Sequence, residues 1–443
     1  MKAALTTAQF LERLDLAVKL RRSGCYDLAM KLAGGLIYGH EQEPALWHTI
    51  GQIETDRGKF DGEEGAIECH RFAFELLQKN GVPSKEQYQT IALGYAQAMM
   101  RQGSFEAALP LWEAGRLDVS WFPWPGTKYW NGREPESPES LLIQSEGGYG
   151  DTFMFMRWIP LLKERFGIKR LGFMAWKPLK DFCDWSRLGI DQFYAIGEDS
   201  VPFAGWGHSI SIMSLPYVFG VKWWDEVRLP EPAVEPAFHE QFGISVANGE
   251  TTYDIGLKGL ARLMENTANT AKRIGFCWRA EENTSPVRTK SLPIEAAAKV
   301  TYELKRHGYD VFSLSPEKAD LYNGGTFDQP PGLILEPSRM TDWKATVAYL
   351  QQMDFILTVD TAVAHLAGVL GIPTLVLLPK SSCWRWGMPG DLTRPTGEET
   401  SHWYGPELTL YRQRVPLDWD PEEILEFTHE RLKAIDTIAQ AKT

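Results

Sequence analysis

A chain of 443 residues is too long for a single core and implies two or three domains. Hydrophobic residues at 44% and charged residues at 23% describe a globular protein and exclude a disordered one. The net charge of −12 argues against a sequence-independent grip on phosphate backbones, so nucleic acid is a disfavoured partner.

The first twenty residues mix charged and apolar side chains and lack the layout of a secretory leader. No apolar run reaches the roughly 18 residues needed to span a bilayer. The five cysteines (Cys25, Cys69, Cys183, Cys277 and Cys383) are scattered, and none forms a CxxC pair. The expectation is a reduced, cytoplasmic protein without a disulfide framework or a zinc site.

Residues 1–120 read as helices. The pattern Gly-x-aromatic-x-x-Ala occurs at Gly24 to Ala29 and at Gly103 to Ala108, with a partial copy at Gly58 to Phe60. Gly24 and Gly58 are 34 residues apart, the tetratricopeptide period, while the step from Gly58 to Gly103 requires an insertion. The spacing predicts a short stack of helical repeats, with a generic helical bundle as the alternative. From Trp121 to Ser140 the chain is rich in Pro, Gly, Trp and Ser and reads as a linker.

Strands and helices then alternate. Strands are predicted at Leu141–Gln144, Leu171–Met174 and Ser209–Ile212. After a polar stretch near 230–272 the pattern restarts with strands at Arg273–Trp278, Asp310–Leu314, Gly332–Leu335, Phe355–Val359 and Thr374–Leu378. The predicted architecture is two Rossmann-like lobes, over 121–250 and 251–443, behind an all-α domain. A helix started by Pro421 runs through the tail.

The turn Gln144 to Thr152 sits between a strand and a helix, where open α/β sheets hold ligands. Gly148 and Gly150 let backbone approach a ligand closely. Asp151 stands at the helix start, where a carboxylate either takes a proton from an attacking hydroxyl or merely caps the helix. The third glycine of a dinucleotide fingerprint is replaced by Phe153, which disfavours a nicotinamide-dependent enzyme. Pro160 interrupts the helix that follows.

In the second half, Phe355 to Pro373 reads as a buried strand, a sharp turn and a short helix. Val363, Leu366, Ala367 and Leu370 form its sheet-facing side, and Thr361 and His365 share another face. The helix start, with Asp360, Thr361 and Ala362, offers free N–H groups and a positive dipole end to a diphosphate. His365 is either a site residue or a satisfied core histidine. Trp278, Arg279, Arg288 and Lys290 follow the second lobe's first strand, and Arg288 and Lys290 are placed to hold phosphate oxygens or to form a solvated basic loop. Trp384-Arg385-Trp386 and Trp403-Tyr404 either frame a base or sugar pocket or pack structurally.

Taken together, these segments resemble a bacterial family of tetratricopeptide-repeat proteins with a C-terminal glycosyltransferase. That region is similar to glycosyltransferase family 9, the lipopolysaccharide heptosyltransferases. The resemblance rests on the Trp130-Asn131-Gly132 turn, Glu146 to Thr152, Arg157 to Leu162, Arg288 to Pro293, Val359 to Gly371, Trp384 to Trp386 and Trp403-Tyr404. The motif Asp360-Thr361-x-x-Ala364-His365-Leu366-Ala367 is its most specific part. It implies a GT-B fold, a nucleotide-diphosphate sugar held mainly by the second lobe, and no metal or other cofactor.

By the same resemblance, Asp151 is the general base of an inverting transfer, Lys290 the phosphate partner, and Asp360, Thr361 and His365 belong to the donor site. The acceptor is a glycan or a protein, with the helical domain as a candidate holder. Two departures stand out: Gly147 where a glutamine is usual in the repeat-bearing branch, and Ser291-Leu292 where heptosyltransferases have Arg-Trp. A non-catalytic repeat scaffold with a vestigial or nucleotide-sugar-binding second part is the alternative reading.

Overall fold

The computed structural model describes residues 5–81, 84–116, 126–134, 136–201, 205–224, 244–247, 250–253, 271–280, 290–315, 329–336, 340–388 and 399–441. Arg288 and most of the 230–272 stretch lie outside the described residues.

Six helices open the chain: α1 (Thr7–Arg22), α2 (Tyr26–Ile37), α3 (Pro44–Asp56), α4 (Ala66–Asn80), α5 (Lys85–Arg101) and α6 (Phe105–Arg116). Their starts follow from local chemistry. Thr6 and Gln9 form a capping box at α1, Pro44 occupies the first turn of α3, and Ser84 caps α5 through the Gln87 amide. The helices pair as three hairpins, α1 with α2, α3 with α4 and α5 with α6. Each hairpin turns at one of the repeated glycines, Gly24, Gly58 and Gly103, which have φ of 78°, 68° and 85°. Only glycine adopts this left-handed conformation without strain. The aromatic that follows is buried in the second and third hairpins, as Phe60 and Phe105.

The front lobe is a parallel sheet of β1 (Lys128–Tyr129), β2 (Ser140–Gln144), β3 (Arg170–Trp176), β4 (Gln192–Ile196) and β5 (His208–Ser211), in the order β1-β5-β2-β3-β4. Pro160 acts as expected: α7 (Tyr149–Phe155) gives way to a 3-10 turn, and α8 (Leu161–Phe166) begins after the proline. The short helix α9 (Leu215–Phe219) follows β5, and β6 (Ile244–Ala247) and β7 (Glu250–Tyr253) form an antiparallel pair.

The rear lobe contains β8 (Arg273–Cys277), α10 (Ile294–Arg306), β9 (Asp310–Ser313), α11 (Trp343–Leu350), β10 (Phe355–Val359), α12 (Ala362–Val369), β11 (Thr374–Leu378), β12 (Thr400–Ser401), β13 (Gly405–Arg412) and α13 (Pro421–Ala441). Its sheet order is β12-β13-β11-β10-β8-β9, parallel except for β12. Period-two alternation divides the sheet. Ile274, Phe276, Phe355, Leu357 and Val359 join the core containing α10 and α13, while Cys277, Phe312 and Ile356 join the core containing Val363, Leu366 and Leu370 of α12. The strand expected at Gly332–Leu335 is not formed. It shrinks to a bridge between Ile334 and Phe312 on the edge strand β9, just after the chain turns at Gly332. β13, which lies between β12 and β11 in the sheet, went unforeseen.

One hydrophobic core joins all three parts, running from Met100 and Trp112 through Phe155 and Trp158 to Leu366, Trp384 and Trp403. The tryptophan pairs are therefore packing elements. Trp384 meets Trp112, Phe105 and Trp403, with the first ring centroid 5.6 Å away. Across the same junction Arg101 donates to the Ser382 carbonyl at 2.5 Å. No helix among the described residues is long and apolar enough to cross a membrane.

Candidate donor and catalytic site

In an open parallel sheet a ligand crevice forms outside the carboxyl ends of the strands, where neighbouring strands send their connections in opposite directions. In the front lobe this point lies between β2 and β5, since β3 and β4 extend one way from β2 and β5 returns on the other side. In the rear lobe it lies between β8 and β10. The loops leaving β2, β8 and β10 carry Asp151, Trp278 with Arg279, and Asp360 with Thr361. Topology alone therefore collects most of the candidate residues at the two crevice ends.

The two ends meet in direct contact, closer than the open crevice implied by the sequence. A methyl group on Gly150 would come within 2.7 Å of the His365 ring and 3.4 Å of the Ala362 Cα. Glycine at 150 is what allows α7 to cross α12 at this distance.

Asp151 is tied at both oxygens. Its Oδ2 accepts from the Gly148 amide at 2.9 Å, and its Oδ1 lies 2.5 Å from Arg385 Nη2. Both side chains are mostly shielded, with relative exposures of 19% and 17%. Gly147 makes the cap possible: its φ is 76°, and a Cβ there would sit 2.3 Å from Asp151 Oδ2. The departure from glutamine at 147 therefore has a local steric cause. Burial works against the Arg385 charge, but Asp151, Cys383 and Asp360 together more than offset it and the guanidinium pKa is raised.

Lys290 Nζ lies 2.8 Å from Asp360 Oδ2. The Asp360 carboxylate beside it raises the lysine pKa. For Asp360 itself, burial pushes upward, but Lys290 and His365 prevail and the pKa falls below the ordinary value. The pair joins the end of β10 to the loop after β8. Ser291 reinforces that loop from within: it is buried, and its hydroxyl accepts from the Ala280 amide at 3.0 Å. Trp278 is likewise buried, with its indole N–H donating to Gln329 at 3.3 Å, so its ring serves the rear-lobe core. Arg279 is half-buried beside it.

His365 is buried and stacks on Trp386 with centroids 5.0 Å apart, and its Nδ1 lies 2.8 Å from the Tyr404 hydroxyl. Burial lowers its pKa to about 4 despite the nearby Asp360 and Asp151 carboxylates, so the imidazole is neutral at pH 7. It contributes shape and a hydrogen bond, while Lys290 and Arg385 contribute positive charge. Thr361 precedes α12 without capping it, leaving the first amides of the helix free of a side-chain acceptor from that residue.

The structure brings Asp151, Lys290, Asp360, Thr361, Ala362, His365 and Arg385 together, and it pairs Asp151 with Arg385, a contact the sequence did not foresee. Sequence reading also missed Tyr404 as the partner of His365 and Arg116 as a partner of Glu146. No local pattern signals contacts over such separations. Beyond this cluster, an open groove of about 510 Å³ runs between Lys180–Asp184 and Lys344–Gln351. Phe153 of α7 packs against Phe182 of the groove lining and against Trp343.

The search of curated proteins finds no relative. Among solved structures, the chain is similar to E. coli ADP-heptose lps heptosyltransferase II at 16% identity and TM-score 0.40, covering 67% of this chain and 99% of that one. It is similar to a family 9 glycosyltransferase from Veillonella parvula at 13% identity and TM-score 0.39, covering 68% and 99%. An O-GlcNAc transferase mutant from Thermobaculum terrenum aligns over 97% of this chain and 95% of that one, at 12% identity and TM-score 0.29. Residues 232–402 match the model of glycosyltransferase family 9 (heptosyltransferase).

Proposed function

We propose that this protein moves a sugar from a nucleotide-diphosphate sugar to an acceptor hydroxyl, with inversion and without a metal ion. Asp151 takes the proton of the acceptor hydroxyl. The hydroxyl oxygen attacks the anomeric carbon, and the bond to the diphosphate breaks with its electron pair leaving on the nucleoside diphosphate. Lys290, Arg288, Arg385 and the free amides at the start of α12 meet the charge that develops there. Asp360 holds Lys290 in place and the neutral His365 shapes the donor end. The helical hairpins, read as tetratricopeptide-like repeats, hold the acceptor, either a glycan or a protein.

The observation that carries this reading is the convergence of Asp151 from the front-lobe switch point with Lys290, Asp360 and Arg385 from the rear lobe. In the working complex the donor diphosphate competes with Asp151 for Arg385, so donor binding frees the carboxylate that must act as base.

ADP-heptose is the first donor to test. Ser291-Leu292, in place of the heptosyltransferase Arg-Trp, makes other nucleotide sugars equal candidates. The purified protein is screened against a panel of nucleotide sugars by thermal shift, and each stabilising sugar is then assayed for nucleoside diphosphate release. A sugar that raises the melting temperature and is turned over supports the reading. Stabilisation without turnover under any acceptor tried would favour the non-catalytic alternative.

A further inference from the structure

Arg116, the last residue of α6, is almost fully shielded, at 9% side-chain exposure, and bridges two carboxylates. One is Glu113 on its own helix at 2.8 Å, whose other oxygen accepts from the Tyr129 hydroxyl of β1. The other is Glu146, reached by Nε at 3.1 Å and by a second, shorter contact from Nη2. Ser211, at the end of β5, donates its hydroxyl to Glu146 and accepts from Arg116 at 3.0 Å. Glu146 is thus held from both sides of the front-lobe switch point.

From this node to Asp151 the chain has no slack. Ser145 is fixed by its amide to the Met174 carbonyl at 2.8 Å and by its hydroxyl to Thr152 at 2.6 Å. The Gly147 carbonyl accepts from the Trp176 indole at 3.3 Å, and the Gly148 amide holds Asp151 Oδ2.

We infer that Arg116 and Glu146 are positioning residues for the transfer reaction, through which the helical domain sets the orientation of the Asp151 carboxylate. The inference rests on the proposed role of Asp151. It makes the helical domain a structural part of the active site as well as a holder of acceptors. A buried arginine shared by two carboxylates is rigid because each partner it loses leaves a charge without compensation.

Glu146→Gln, Arg116→Lys and Arg116→Met test this in the full-length protein. The readouts are hydrogen exchange of the Gly148 amide and steady-state kinetics with ADP-heptose or whichever panel sugar is turned over. In Glu146→Gln, Gly148 exchange rises by about tenfold or more while amides of α3 and α4 keep their rates. Its kcat falls by about tenfold or more with donor KM within about twofold. Arg116→Lys retains the charge but loses the fork, and it falls between wild type and Arg116→Met.

Wild-type exchange at Gly148 in Glu146→Gln overturns the inference, as does faster exchange with unchanged kcat. If Arg116→Met fails to fold, the near-isosteric Glu146→Gln still decides. Absence of turnover in the wild-type protein counts against the proposed function, while the exchange measurement continues to test the positioning.

Discussion

Arg385 of the rear lobe grips Asp151 of the front lobe, Nη2 to Oδ1 at 2.5 Å, while the other Asp151 oxygen caps α7 through the Gly148 amide. The carboxylate is thus both a helix cap and the partner of a shielded cation from the other lobe. Capping and base catalysis were alternatives from the sequence, whereas the geometry allows one residue to serve both roles.

Asp151→Asn retains a cap acceptor but removes the base. It is expected to lower transfer by about 10²- to 10⁴-fold while leaving nucleotide-sugar affinity, measured by titration calorimetry, largely intact. Transfer at the wild-type rate would reduce Asp151 to a cap.

Gly147→Ala places a Cβ 2.3 Å from Asp151 Oδ2 at a residue whose φ is 76°. The cost is about 1–3 kcal/mol of stability, and because the strain falls on the Asp151 carboxylate, kcat is expected to drop as well. Thermal melts and kinetics on one preparation check both; a variant with normal melting and normal kcat contradicts the assigned contact.

Lys290→Met leaves Asp360 buried without its cation. Because the lysine side chain is itself 38% exposed, solvent softens the loss to about 1–3 kcal/mol, and the proposed diphosphate contact goes with it. Lower stability together with weaker nucleotide-sugar binding is expected. Unchanged binding in a folded Lys290→Met protein would remove Lys290 from the donor site.

Trp384→Ala empties the junction shared by Phe105, Trp112 and Trp403. Losses of about 3–5 kcal/mol are usual for such truncations, and here they fall on the contact between helical domain and lobes. Limited proteolysis should then cut between α6 and β1 sooner than in the wild type. Equal cleavage rates would show that the junction does not depend on this ring.

Acid should weaken the fold. Burial lowers His48 and His365 to about 4 and drives His70 well below its ordinary value. His48 and His70 face each other between α3 and α4 with ring centroids 5.0 Å apart. Because these histidines bind protons more readily in the unfolded chain, stability is full above pH 6.5 and is lost as pH falls toward 4. Each group gives up about 1.4 kcal/mol per pH unit inside that window. Denaturation midpoints at pH 7.5, 6 and 5 check this, and a midpoint that stays flat over the range would show the histidines to be more accessible than their burial implies.

The sequence alone determined what depends on near neighbours in the chain. Alternating strands in the second part, helical hairpins in the first, the break at Pro160 and the helix beginning at Pro421 all follow from periodicity and local backbone chemistry. The loops bearing Asp151 and Asp360 were legible for the same reason, since each is a strand-to-helix turn with its own residue signature. Tertiary structure decided which charges meet. Asp151 with Arg385, Lys290 with Asp360, His365 with Tyr404 and Arg116 with Glu146 are joined over separations no local pattern encodes. It also decided that α7 and α12 touch at Gly150, because the distance between two lobes is set by the shapes packed between them, and those shapes exist only once both sheets have formed.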